Sequence, residues 1–325
     1  MKTFDVASVC NALMDILVEV SDQDLKNLGL TKGVMHLVDS KRQQEVFTYV
    51  NGKAKVTELG GSSMNAIRTL ASLGHKTVFA GLVNDDEYGN LIRTRMNSLG
   101  IKSILGGHQS ESTGTCLILI TPDGERTMNT NLGASRLYNS SHIPHEDISK
   151  SRIFHFSGYQ WDTPEQKHAV MEALKTSKKM DTIVSFDLAD PFVVDRNKND
   201  FNEIIVNNAD IVFANREEAK LLYGTTPEKT ALRIAESGAI AVIKLGADGA
   251  VIGRGSDLIK VPSIPTKVID TTAAGDMFAA GFLHGYLRDR DLKSCGHIAA
   301  TLASDVISRI GANLSDSAIT SARRL

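Results

Sequence analysis

The sequence predicts an α/β protein: a doubly wound, mostly parallel sheet with helices on both faces, plus a small separate β-sheet. Three observations carry that expectation. Short β-like runs alternate with helical patterns along most of the 325 residues, and such alternation implies βαβ units and a parallel sheet covered on both faces. The rhythm is most regular from Arg152 onward. Early in the chain, residues 15–20 (DILVEV) break it by alternating apolar and polar side chains, the pattern of a strand with one exposed face.

Taken in order, residues 4–9 read as a buried strand, 15–20 as a half-exposed one and 34–38 as a further short run. A helix is predicted over 63–73, with Ser62 or Ser63 to cap it and Gly74 to end it. A strand over 77–83, a helix near 87–98 and an apolar run at 115–121 follow. Strands are then predicted at 153–156, 183–186, 211–213 and 239–244, with helices between them at 164–176, 201–207 and 216–222. The last part reads as helical, over 275–288 and 292–309. The chain is expected to form a single domain over 1–325. The small β element, a lid, is assigned to about 12–40 and 110–135.

Composition narrows the function classes. Lysine plus arginine total 36 and aspartate plus glutamate 38, a formal net charge of −2. That balance leaves no electrostatic footprint for nucleic acid or an anionic membrane. No stretch approaches the roughly 18 apolar residues that span a bilayer, and the first residues lack the apolar core of a signal peptide. Cys10, Cys116 and Cys295 are scattered and odd in number. They argue for a reducing, cytoplasmic setting and against a disulfide framework or a zinc site.

In an open parallel sheet, ligands bind beyond the carboxyl ends of the strands. The most informative segment follows a strand-like run: Asp270-Thr-Thr-Ala273-Ala274-Gly275-Asp276-Met-Phe-Ala-Ala-Gly-Phe. Small residues lead from a turn into a helix, whose first N–H groups are unpaired and carry the positive end of the dipole. That makes an anion site suited to a phosphate whose charge grows during transfer. Asp276, in the first helical turn, is placed to accept a proton from an attacking hydroxyl. The same residues also suit a plain tight helix start. Gly60-Gly61-Ser62-Ser63-Met64-Asn65 puts two glycines before a capped helix, with Ser62 and Asn65 on one face, as a polyhydroxyl ligand requires.

The segment DTTAAGD resembles the C-terminal signature (DTxGAGD) of the PfkB/ribokinase carbohydrate kinases, with Ala273 where the usual first glycine stands, and Gly60–Asn65 resembles the family's GGxxxN motif. The resemblance covers nearly the whole chain, from Cys10 to about Asn313, and implies a ribokinase-like fold. It implies that Asp276 is the catalytic base and that the amides of Ala273, Ala274 and Gly275 form the anion hole. Asp15, with Asn11 as helper and Gly60, Gly61, Ser62 and Asn65 nearby, would hold the sugar hydroxyls. Asn215 and Glu218 are similar to the family's NxxE motif, linked to Mg2+ through water, although they also form an ordinary helix cap. Lys244, Gly246 and Gly249 resemble the nucleotide loop, and Asn313 lies in the family's closing segment. Thr272 and Asp270 would lie near a loop for a monovalent cation such as K+. Arg126, in the proposed lid, either reaches the phosphates or is a solvated hairpin charge.

The reading is therefore an ATP-dependent kinase for a small molecule, acting on the primary hydroxyl of a ribose-containing substrate. Residues 11–16, 113–116, 156–159 and 185–192 look closest to adenosine and nucleoside kinases, which favours the 5′-OH of adenosine. Leu13, His36, Leu37, Leu132 and Phe192 are candidate walls for a purine. A sugar kinase of the same family, for ribose or fructose, is the alternative, and a non-catalytic nucleotide or sugar sensor a further one. No Walker A motif occurs, and Cys-Asn-Ala-Leu-Met after the first strand argues against a Rossmann oxidoreductase. The lid sheet offers edges for pairing in a homodimer.

Overall fold

The computed structural model describes residues 2–107 and 110–325. The strands along it are β1 (Phe4–Val9), β2 (Leu13–Glu19), β3 (Met35–Leu37), β4 (Lys55–Gly60), β5 (Thr77–Val83), β6 (Lys102–Gly107), β7 (Gly114–Ile120), β8 (Arg126–Asn131), β9 (Ser151–Ser157), β10 (Ile183–Asp187), β11 (Ile211–Asn215), β12 (Ile240–Lys244), β13 (Ala250–Arg254) and β14 (Asp257–Val261). Nine of them form one sheet in the order β14-β13-β12-β11-β10-β9-β1-β5-β6. Neighbours run parallel except at the β12–β13–β14 edge, where the chain turns back twice.

Continuous apolar runs such as TVFAGLV in β5 form these strands because helices bury both faces. Alternate residues feed two cores. Val6, Phe79, Ile153 and Phe213 pack on one side; Ala7, Val78, Phe154 and Val212 pack on the other. The chain winds from β1 outward through β5 and β6, then returns to the other side of β1 with β9 and continues to β12. The switch point therefore lies beyond the carboxyl ends of β1 and β9, where a crevice opens.

The remaining strands form the lid, a mixed sheet in the order β3-β8-β7-β2-β4. Strand β4 and the helix Ser40–Tyr49 lie outside the ranges expected for it. The exposed face expected for residues 15–20 is turned inward instead. Met14, Ile16 and Val18 join the main core, while Leu17 clusters with Cys116, Ile118 and Ile120 on the other face. The helix predicted over 201–207 begins earlier, at Pro191, where Asp190 caps it. Cys10, Cys116 and Cys295 are buried and unpaired. Among the described residues no helix is long and apolar enough to cross a membrane.

Candidate active site

The crevice is a cavity of about 540 Å³ between the lid and the main sheet, lined from the ends of β1, β9, β10, β11 and β12. Asp276 lies in the first turn of the helix Ala274–Leu287. Its carboxylate accepts from Ser62 Oγ at 2.6 Å and Asn65 Nδ2 at 2.9 Å, so the two signature segments meet at one side chain. Burial raises the Asp276 pKa above the usual carboxylate range, against the lowering effect of those two bonds. Desolvation thus outweighs the preference of a helix N-terminus for an ionised carboxylate, which suits a proton acceptor.

Before this helix, Ala273 adopts the left-handed region at φ 57°. Among the described residues the N–H groups of Ala273 and Gly275 have no hydrogen-bond partner, whereas that of Ala274 is directed at Thr271 O at 3.3 Å. Two of the three expected anion-hole amides are therefore open, and Ala274 is engaged in the turn.

Asp15 projects from β2 toward the same cavity, directly over Gly60, its neighbour on β4. A Cβ at Gly60 would lie 2.0 Å from Asp15 Oδ1, so only glycine leaves room for the carboxylate. Gly61, at φ 102°, turns the chain from β4 into the helix Ser62–Ser72. Burial pushes the Asp15 pKa up to about 7, with Arg68 pulling it down and Glu58 pushing it up. Asn11 lines the cavity, but its Oδ1 accepts from Gln166 Nε2 at 2.8 Å and its Nδ2 is directed at Tyr159 O. These bonds anchor the loop after β1.

On the other side of Asp276, Lys244 ends β12 and reaches over the helix start. A Cβ at Gly275 would lie 3.2 Å from its Nζ. The ammonium is held by Asp187, at the end of β10, at 3.0 and 3.3 Å. Desolvation would lower the Lys244 pKa, but Asp187 and Glu218 outweigh it and raise it, so the group is charged. Asp187 belongs to none of the site motifs legible in the sequence; it is an acid just past a predicted strand, within the 185–192 stretch.

Glu218 and Asn215 also line the cavity, joined in a reciprocal cap: Asn215 N and Nδ2 donate to Glu218 at 2.7 and 2.5 Å. Burial raises Glu218 to about 7. The cap accounts for both residues, and the carboxylate lone pairs left over suit the waters of a hydrated Mg2+, which needs few direct ligands.

Other expected residues stand elsewhere. Gly246 and Thr272 line the cavity, but Gly249 closes a tight turn against Val261 O. Asn313 is bonded to Glu58 and Arg68. Arg126 is neither solvated nor at the helix start; it is buried against Asp270 at 2.5 Å and donates to Thr272 Oγ1 at 2.8 Å. Asp270, expected near a cation loop, faces that guanidinium. His36 is at Thr31 O and does not line the cavity, whereas Leu13, Leu37, Leu132 and Phe192 do.

A buried carboxylate beside open amides and an ammonium, at the switch point of a ribokinase-like fold, defines a phosphotransferase that uses ATP. The chain belongs to the pfkB family of carbohydrate kinases, whose model matches residues 36–319. Among solved structures it is similar to a probable sugar kinase from Rhizobium etli CFN 42, at 34% identity and TM-score 0.91 over 100% of this chain and 99% of that one. Adenosine kinase from Sinorhizobium meliloti is similar at 33% identity and TM-score 0.91, with the same coverage. Adenosine kinase 2 of Arabidopsis thaliana is 26% identical over 93% of each chain.

Proposed function

We propose that this kinase moves the γ-phosphoryl group of ATP to the 5′-OH of adenosine. One observation carries the reading: the cavity is polar near Asp15 and Asp276 but apolar between the lid and the helix after β10. Leu13, Leu37, Leu132 and Phe192 stand there, and Phe192 is 62% exposed at the mouth. A purine would cover these side chains, whereas a free sugar would leave them wet. The adenosine kinases among its relatives support the same reading.

Asp15 would accept bonds from the two ribose hydroxyls. The 5′-OH then lies toward Asp276, which takes its proton as attack proceeds. The open amides of Ala273 and Gly275 and the ammonium of Lys244 face the charge on the transferring group. Glu218 would hold Mg2+, which when bound would supply neutralisation of charge on the ATP phosphates. Lid side chains exclude water, the competing acceptor.

The sugar-kinase reading is favoured by the relative from Rhizobium etli. ADP release with adenosine, inosine, uridine, ribose and fructose separates the two. Adenosine is expected to give the highest kcat/KM, and a higher value for a free sugar would refute the nucleoside. Binding without ADP release from any of them would instead mark a sensor. The three unpaired cysteines support a cytoplasmic location. A homodimer through the lid gains support from edge strand β4, whose Val56 is exposed; sedimentation velocity tests it.

A further inference from the structure

Asp270 and Arg126 form the most enclosed ion pair near the site, with side chains 3% and 8% exposed. Arg126 comes from lid strand β8, and Asp270 from the loop that enters the anion-hole helix. Both oxygens of the carboxylate, and two of the carbonyls around it, already accept from protein donors. Asp270 Oδ1 accepts from Thr272 N at 3.0 Å, and Oδ2 accepts from Gly311 N at 2.9 Å as well as facing the guanidinium. Ile307 O accepts from the amides of Ile269 and Asp270, at 2.8 and 3.3 Å. Ala312 O accepts from Arg68.

A hard cation needs several oxygens whose lone pairs converge on one point. Here the converging groups are N–H donors, and a fixed positive charge stands against the one carboxylate. The residues present do not fit a monovalent metal ion. We propose that Arg126 is the resident cation of this loop, positioning the anion-hole turn through Asp270 and Thr272, so that the enzyme needs no K+.

Thr272 leads straight into Ala273, whose left-handed backbone is costly for any residue with a Cβ. Such a turn holds its shape only if its surroundings restrain it. Arg126 supplies that restraint from the lid side. Glu58, on lid strand β4, grips the adjoining turn by accepting from Ala312 N at 3.2 Å and Asn313 Nδ2 at 2.9 Å. Seating the lid and ordering the anion hole are thereby one event. The inference rests on the kinase reading for what the hole does, but not on which alcohol is phosphorylated.

The test compares KCl, NaCl and tetramethylammonium chloride at equal ionic strength. For the ligand-free wild type, the melting temperature is expected to agree within about 1 °C across the three salts. ADP release with adenosine and MgATP is expected to agree within about twofold. A K+-specific rise in either would overturn the proposal. Arg126→Gln is expected to lower kcat at least about tenfold while KM for adenosine stays within about twofold, with partial recovery in Arg126→Lys. Unchanged turnover in Arg126→Gln would also overturn it. If that variant folds poorly, Arg126→Gln with Asp270→Asn removes both charges and should melt higher than the single variant, because an unpaired buried carboxylate is worse than a neutral amide. A lower melting temperature counts against the pair. Should adenosine prove not to be a substrate, turnover is absent in every salt, and the melting comparisons alone decide.

Discussion

Gly60→Ala tests the proposed sugar site at the point of closest approach. The added methyl would fall 2.0 Å from Asp15 Oδ1, 2.4 Å from Cγ and 2.7 Å from Oδ2. Ordinary contact requires about 3.5 Å, so the carboxylate must retreat by about 1.5 Å. Strands β2 and β4, which pair Leu13 with Gly60 and Asp15 with Glu58, oppose a backbone shift instead. A displacement of that size takes the carboxylate out of reach of at least one ribose hydroxyl. Losing one charge-assisted hydrogen bond costs about 1.5–3 kcal/mol, or roughly a 10- to 150-fold rise in KM. The kcat should change less than about threefold, because Asp276 and the helix start are untouched. Overpacking should also lower stability by about 1–3 kcal/mol. Initial rates of ADP release against adenosine concentration, with circular dichroism to establish folding, measure all three. A folded variant with wild-type KM would refute the assignment of Asp15 to the hydroxyls.

Two further outcomes follow from charge. Asp15 must be ionised to accept two hydroxyls, and its pKa is raised to about 7, so KM for adenosine should be about tenfold higher at pH 6 than at pH 8; a flat pH profile of KM would contradict this. The same raised pKa means that the folded state holds the proton more tightly than the unfolded chain, so stability is lost as pH rises from about 4 toward 7. Asp15→Asn should therefore melt higher than ligand-free wild type at pH 8, with a smaller advantage at pH 5, as read by differential scanning calorimetry. Lys244→Met removes the ammonium over Gly275 and leaves Asp187 buried and unpaired. Its kcat should fall about 100-fold, more than any rise in KM for adenosine; unchanged single-turnover rates would remove Lys244 from the phosphate.

The parts of this molecule that sequence makes legible are those where one local pattern has one cause. Strand β5 is apolar throughout because both faces are covered. The Ala274–Leu287 helix announces itself by a run of small residues before a buried helix. Strand β4 is harder: KVTELG is polar and exposed over its outer half, and its partner β2 lies far earlier in the chain. The glycines of 246–255, read as a nucleotide loop, also build the turns around β13, and Gly255 at φ 57° closes the β13–β14 hairpin.

Long-range electrostatics is the least legible. Arg126 in DGERT offers a choice between a solvated charge and a phosphate ligand. The structure shows the side chain buried against Asp270, a partner that only the packing of the lid on the main sheet brings to it. Asp187 meets Lys244 across an intervening strand, which no spacing along the chain encodes. Asn215 and Glu218 illustrate the opposite case, in which local capping accounts for the geometry and any role toward Mg2+ is added to it.

The most direct measurement is the single-turnover rate of phosphoryl transfer in Asp276→Asn, a nearly isosteric change whose side chain can still meet Ser62. The account predicts a loss of about 100- to 10,000-fold, the contribution of a positioned general base, with KM for adenosine little altered. Transfer at a rate within about threefold of wild type would contradict it.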